Sequence, residues 1–170
     1  MRLYNILISI VILVLFSAVV LAQNPNFSYP YNYTRKAFIS RVIDGDTFVL
    51  SDSQHVRMLG INTPELWITG KPSEPFSDSA YYFTKSLIEG KFIKLTFDGK
   101  AFDIIGRLLA YTWLTDVNGK DSLFIQAELL KKCYARISYY NKDKIYYHIF
   151  YNLRRTSMQK KLGIWSVRGE

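Results

Sequence analysis

From position 37 onward, apolar and polar residues alternate first with the period of a strand and later with that of a helix. Phe38–Ile43 reads as a strand, Asp44-Gly45-Asp46 as a tight bend, and Thr47–Leu50 as a second strand in which Thr47 and Val49 alternate against Phe48 and Leu50. Polar turn residues Ser51–Gln54 lead into a third strand, His55–Leu59. Gly60–Glu65 is read as loop, because Pro64 biases Thr63 away from helix and breaks a ladder. The period then lengthens. Phe76, Ala80, Phe83 and Leu87 recur at i, i+4, i+7 and i+11, one face of a helix, with Ser73 as the expected N-cap, Pro75 in the first turn and Gly90 at C′. Lys91–Phe97 and Arg107–Leu114 predict two more strands, with turns at Asp98-Gly99 and Asn118-Gly119. Ser122 is expected to cap a second helix running to Lys132, with Ile125, Leu129 and Cys133 on one face. A third helix is expected over Lys144–Lys161, with Ile145, Ile149 and Leu153 inward and Gly163 as its stop. Five short strands with three helices predict a small barrel or α+β domain, and no internal repeat interrupts that order.

The N-terminal stretch changes the picture of what this domain is attached to. Arg2 is followed by an apolar run, and Leu3–Ala22 carries no charge. Val20-Leu21-Ala22 fits a signal-peptide exit before Gln23, while the uncharged stretch is also long enough to span a bilayer uncleaved. Both readings export the domain, to a secreted state or to the outer face of a membrane. Residues 23–36, rich in Asn, Pro and Tyr, read as a spacer, and Asn26 and Asn32 stand in Asn-x-Ser/Thr triplets. The expected organisation is then leader or anchor 1–22, spacer 23–36, domain 37–166 and tail 167–170.

The whole chain has 170 residues and a net charge of +8; residues 1–22 hold one of the cations and no acid, so the remainder carries +7. Such a surface suits a polyanion or an acidic lipid face. The single cysteine, Cys133, excludes an internal disulfide framework, so the fold must stand on its core. His55 and His148 have no partner at a metal-ligand spacing.

The candidate chemistry is concentrated between Arg41 and Glu65. Asp44, Asp46, Asn62 and Glu65 offer oxygen donors of the kind a hard cation takes, and Arg57 offers the planar fork that suits phosphate. A second Gly-Arg, Gly106-Arg107, could supply the other half of a phosphate clamp. Together these groups predict metal-assisted phosphodiester chemistry.

The segments IDGDT, VRMLGINTPE and EPFSDSAYYFTKSLIEGK, followed by a Gly-Arg strand and a closing GIWS, resemble the staphylococcal nuclease (thermonuclease) family in order and spacing across residues 37–166. The resemblance implies a five-stranded OB-type Greek-key barrel with three helices, in a mainly β α+β domain. It implies a Ca²⁺-dependent phosphodiesterase acting on DNA and RNA with little sequence preference and 3′-phosphate products; the chain is further expected to prefer single strands and to work as a monomer. Carried over by motif, Asp46 and the Thr63 carbonyl bind metal and Asn62 stands where another metal-binding aspartate is usual. Glu65 activates water, Arg57 and Arg107 clamp phosphate, Asp44 lies behind the ion, and Tyr139 stacks on a base. Tyr146, Tyr147, Phe150 and Tyr151 are read instead as packing the third helix. Arg154, Arg155, Lys160 and Lys161 are read as a solvated helix end that complements the helix dipole. The alternative is a catalytically weak or inactive module that only binds nucleic acid at the cell envelope. Three departures stand out: Asn62 for aspartate, Ile104-Ile105 before Gly106-Arg107 where the family carries polar residues and a tyrosine, and Cys133 for a glycine near a helix end.

Overall fold

The computed structural model describes residues 28–30, 33–66, 70–116, 120–138 and 145–167. The expectations placed on residues 1–22, on the Asn118-Gly119 turn and on Tyr139 lie outside the described residues.

The strands are β1 (Thr34–Val42), β2 (Thr47–Leu50), β3 (His55–Met58), β4 (Ile61–Asn62), β5 (Phe92–Thr96), β6 (Leu108–Thr115), β7 (Asp121–Phe124) and β8 (Arg136–Ile137). The helices are α1 (Ser77–Ile88), α2 (Ile125–Lys131) and α3 (Tyr147–Lys160), followed by a 3-10 turn at Gly163–Ser166. The main sheet runs β3-β2-β1-β5-β6-β7, and a parallel pairing of β3 with β6 closes its first five strands into a barrel. That closure sets Arg57 opposite Leu109, two positions from Arg107. A bulge in β1 between Ile39 and Arg41 lets the strand leave β5 and pair with β2. The inward residues Ile39, Phe48, Leu50, Val56, Met58, Ile93, Leu95 and Leu108 fill the barrel.

Several local expectations give way to tertiary contacts. Ser73 does not cap α1: Phe76 takes a left-handed conformation (φ 69) as N-cap, and the helix starts at Ser77. The segment before it is held elsewhere, with the Glu74 amide donating to the Glu65 carbonyl (2.9 Å). The buried face of α1 is Ser77, Ala80, Thr84 and Ile88, with Phe83 and Leu87 on its flank. Gly90 does end the helix, with φ 71 after Glu89. Gly60–Glu65 is not all loop, because Ile61 and Asn62 pair with Ile137 and Arg136 of β8.

Ser122 belongs to β7 rather than to a helix cap. Phe124 pairs with Trp113 and stacks on it (4.0 Å, 8°), so aromatic burial extends the strand to Phe124 and α2 begins at Ile125. Ile125, Leu129 and Cys133 are all buried, as their spacing required. Cys133 adopts φ 62 just past α2, the backbone state in which glycine costs least. In α3 the core-facing residues are Phe150 and Ser157, with Leu153 half-buried; Ile149, expected inside, is exposed. The helix stops at Lys161 (φ 51), two residues before Gly163. Gly163 serves a close approach instead, since a Cβ there would sit 2.2 Å from the Cys133 carbonyl oxygen. Among the described residues no helix is long and apolar enough to cross a membrane.

Candidate active site

The Asp44–Asp46 bend is a built feature rather than a spare turn. Asp44 Oδ1 accepts the Asp46 amide (2.9 Å), and the Ile43 and Asp44 amides both donate to the Thr47 carbonyl. Thr84 of α1 donates its hydroxyl to the Gly45 carbonyl (2.7 Å), pinning the bend to the helix. Gly45 has no room for a side chain, because a Cβ would lie 2.7 Å from Ala80 Cβ and from Thr63 Oγ1. The bend, α1 and the Thr63 loop therefore close on one another at a single point.

This closure sets the carboxylate of Asp46, which is buried, against the loop after β3. Asp46 Oδ2 accepts the Thr63 amide (2.8 Å), and Oδ1 accepts the Thr47 hydroxyl (3.1 Å). Arg57, arriving from β3, ion-pairs with Asp46 through Nη1 and donates from Nη2 to Asn62 Oδ1 (2.5 Å). Nη1 makes no hydrogen bond of good direction, so its contact with Asp46 is one of charge. Asn62 Nδ2 in turn reaches the Thr63 carbonyl (3.3 Å). Glu65 stands at the exposed rim, its amide on Glu74 Oε2 (3.1 Å).

Two carboxyls here are held above their ordinary range. Burial, reinforced by the neighbouring Asp46 charge, pushes Asp44 up to about 7. For Glu65, partial burial and then the Asp46 charge raise the carboxyl, Glu74 adds to the rise, and Arg57 and Arg107 oppose it. The influence of both arginines on Glu65 brings Arg107 into the same field, although it comes from the start of β6.

Arg107 is held by Asp103. Asp103 Oδ2 accepts Arg107 Nε (2.7 Å), and Oδ1 accepts the amides of Arg107 (2.9 Å) and Ile105 (3.0 Å). Burial would raise the Asp103 carboxyl, but the Arg107 side-chain and backbone donors together bring it below the usual carboxylate range. The sequence reading did not assign Asp103 this positioning role; its spacing of four residues before Arg107 was the available signal. The same loop throws Ile104 (94% exposed) and Ile105 (71% exposed) into solvent. Beside them lies a trough of about 460 Å³ lined by Asp52–His55 and Ile105–Arg107.

The structure thus brings together Asp44, Asp46, Arg57, Asn62 and Thr63, with Glu65 at the rim and Arg107 two positions from Leu109, the residue that pairs with Arg57. What a cation would meet is an all-oxygen donor set: the Asp46 carboxylate, the Asn62 amide oxygen and the Thr63 carbonyl, with Glu65 at the rim. That set fits a hard ion of the Ca²⁺ or Mg²⁺ kind. Among the described residues no group of three or more His, Cys, Asp or Glu side chains is placed to hold a metal. The Arg57 guanidinium, against Asp46 and Asn62, balances the negative charge that such an ion would also balance.

The chain is similar to known proteins over most of its length. The profile of the family described as Staphylococcal nuclease homologue matches residues 55–167. The thermonuclease of Staphylococcus intermedius is 31% identical over 130 residues, covering 75% of this chain and 74% of its own. The thermonuclease of Staphylococcus hyicus is 32% identical over 131 residues, with 75% and 74% covered. Endonuclease YncB of Bacillus subtilis is 34% identical over 152 residues, covering 82% of this chain and 68% of its own. The closed barrel, the bend fastened beneath α1 and these likenesses across most of the chain agree, and the protein belongs to the staphylococcal nuclease family.

Proposed function

We propose that the protein is an exported, Ca²⁺-dependent nuclease that cuts DNA and RNA, preferentially single-stranded, with little sequence preference, as a monomer leaving 3′-phosphate ends. Membership of the family makes the chain a phosphodiester-hydrolysing nuclease; the ion, the product ends, the strand preference and the export are our reading. The observation that carries it is the buried Asp46 held by the Thr63 amide and Arg57, with Arg107 two positions from Leu109, the residue of β6 that pairs with Arg57. Residues 1–22 would export the domain, either as a cleaved leader or as an anchor at the outer membrane face.

In this reading Asp46, Asn62 and the Thr63 carbonyl hold the cation, and Asp44 fixes the bend that aims Asp46. The bound cation supplies neutralisation of a nonbridging phosphate oxygen. Glu65 takes the proton of the attacking water, a task its raised carboxyl pKa suits. Arg57 and Arg107 donate to the phosphate oxygens, where charge grows in the transition state, and Asp103 keeps Arg107 from swinging to solvent. A module that only binds nucleic acid would have no use for a Glu65 carboxylate at the rim of the Asp46–Arg57 cluster. Release of acid-soluble nucleotides from single-stranded DNA is expected to require Ca²⁺ and to vanish in a chelator and in Glu65→Ala. Undiminished release in chelator would sink the reading.

Two departures from the family pattern yield expected results. Asn62 lacks a negative charge that an aspartate would bring to the ion, so Asn62→Asp is expected to tighten Ca²⁺ binding by about tenfold or more at low ionic strength. Calorimetric titration checks this, and equal affinity in the two proteins counts against Asn62 as a ligand. Ile104 and Ile105 offer a phosphate nothing, so a nucleoside 3′,5′-bisphosphate should inhibit weakly. Ile105→Tyr should restore inhibition by about tenfold, the order of one hydrogen bond to a charged group. An inhibition constant unmoved by the substitution speaks against that placement.

A further inference from the structure

The reading of α3 as an ordinary packed helix accounts for only part of it. Tyr146 and Phe150 do pack, against Tyr111 and Phe124. Tyr147 (42% exposed) and Tyr151 (45% exposed) do not; their rings lie side by side on the outer surface, 6.1 Å apart and inclined by 27°. Of the ten large apolar side chains exposed among the described residues, five fall between positions 147 and 162. At about 100° per residue, Tyr147, Tyr151 and Met158 come within about 40° of one another, one row along the helix.

The charge on this helix has a single sign. From Tyr146 to Lys161 there is no acid, while Arg154, Arg155, Lys160 and Lys161 are all cationic. Arg155, Lys160 and Lys161 are exposed; Arg154 lies over the Trp165 ring, 5.9 Å from its centroid. Cations near a helix C-terminus complement its dipole, but that accounts for neither the exposed tyrosine pair nor the absence of acid along the rest of the helix. The apolar row is one side chain wide, since Arg155, His148 and Gln159 occupy the adjacent exposed positions. A bilayer surface would have to bury those polar groups along with it, whereas a strand of alternating bases and phosphates meets rings and cations together.

We propose that the outer face of α3 is an exosite for single-stranded nucleic acid, with Tyr147 and Tyr151 stacking on bases and Arg155, in the adjacent row, meeting a phosphate. The inference rests on the nuclease reading and gives that enzyme a second hold on long substrates, on a different element from Asp46, Arg57, Glu65 and Arg107.

Binding of end-labelled oligothymidylates of 3 and 20 nucleotides to the full chain, in chelator so that no cleavage occurs, tests it by fluorescence anisotropy. Tyr147→Ser with Tyr151→Ser is expected to weaken the 20-mer by about tenfold and leave the 3-mer unchanged. Arg155→Gln should weaken the 20-mer by a few-fold and make its logarithmic salt slope shallower by about 0.7, the value for one phosphate contact on a single strand. Unaltered 20-mer binding in both the tyrosine and the arginine variant overturns the exosite. So does equal weakening of both lengths, which would trace the effect to the active site or to folding. Loss of binding to anionic phosphatidylglycerol vesicles with 20-mer affinity intact would also overturn it, and assign the face to lipid. Ca²⁺-dependent cleavage by the wild-type chain tests the active site separately, whatever the length series shows.

Discussion

Glu65→Gln is expected to lower kcat by about 10²- to 10⁴-fold, the range lost when a positioned general base is removed, while leaving substrate binding within a few-fold. The substitution keeps the shape and removes only the ability to accept a proton. Glu65 stands at the rim, and its amide rather than its carboxylate ties it to Glu74. Its carboxylate is thus left available for chemistry, while the fold should not feel its neutralisation. Single-turnover cleavage at saturating Ca²⁺, with thermal unfolding as the control, separates the two effects. A variant that keeps a fifth or more of wild-type turnover would remove Glu65 from the role of base.

The second large effect concerns Arg57, and it is a stability effect as much as a kinetic one. The side chains of Arg57 and Asp46 are 14% and 5% exposed, so they form a pair withdrawn from water. Removing one member of a buried pair leaves the other uncompensated, typically at about 3–5 kcal/mol. Arg57→Met is therefore expected to lower Tm in chelator by about 10 °C, taking about 2–4 °C per kcal/mol for a domain of this size. With Arg57 gone, Asp44 and Asp46 face one another without the guanidinium that offsets their repulsion. Saturating Ca²⁺ should return much of the loss, because an ion on Asp46 takes over the compensation and binds only the folded chain. Turnover should stay about 10²- to 10³-fold down even then, since the donor proposed for the transition-state phosphate is missing. Calorimetric scans with and without Ca²⁺ provide the check. A chelated variant melting within about 2 °C of wild type would show that the pair carries little of the fold.

How much of this was legible beforehand follows from which forces acted locally. The strand His55–Met58 was readable because alternation along a half-buried strand is written residue by residue, whereas Thr47–Leu50, read as half-buried, is buried at all four positions once the barrel and the Asp44–Asp46 bend close over both its faces. The bend at Asp44–Asp46 was readable because turn chemistry needs only its own side chains. The Ser122 cap failed where a local propensity met a stronger distant partner, Trp113 stacking on Phe124. On α3 Phe150 packs as read, against Tyr111 and Phe124, but the rotation that buries it leaves Ile149, expected on the inner face, exposed. Asp103 went unassigned because a hydrogen-bonding loop has no period to betray it.

For the site the division is similar. Residue types and motif order along the chain determined the candidates: oxygen donors from Asp44 to Glu65, a guanidinium at Arg57 and another at Arg107. Only the closed barrel decided that these act on one another. The parallel pairing of β3 with β6 carries Arg107 across a separation of fifty residues to the neighbourhood of Arg57. The contact of α1 with Gly45 presses the bend onto the Thr63 loop. Exposure, too, was the tertiary structure's to decide, as Tyr147 and Tyr151 show. Hydrophobicity states that a ring gains by leaving water, but which rings find a partner depends on the surface the rest of the chain presents, and on α3 that surface ran out one row short.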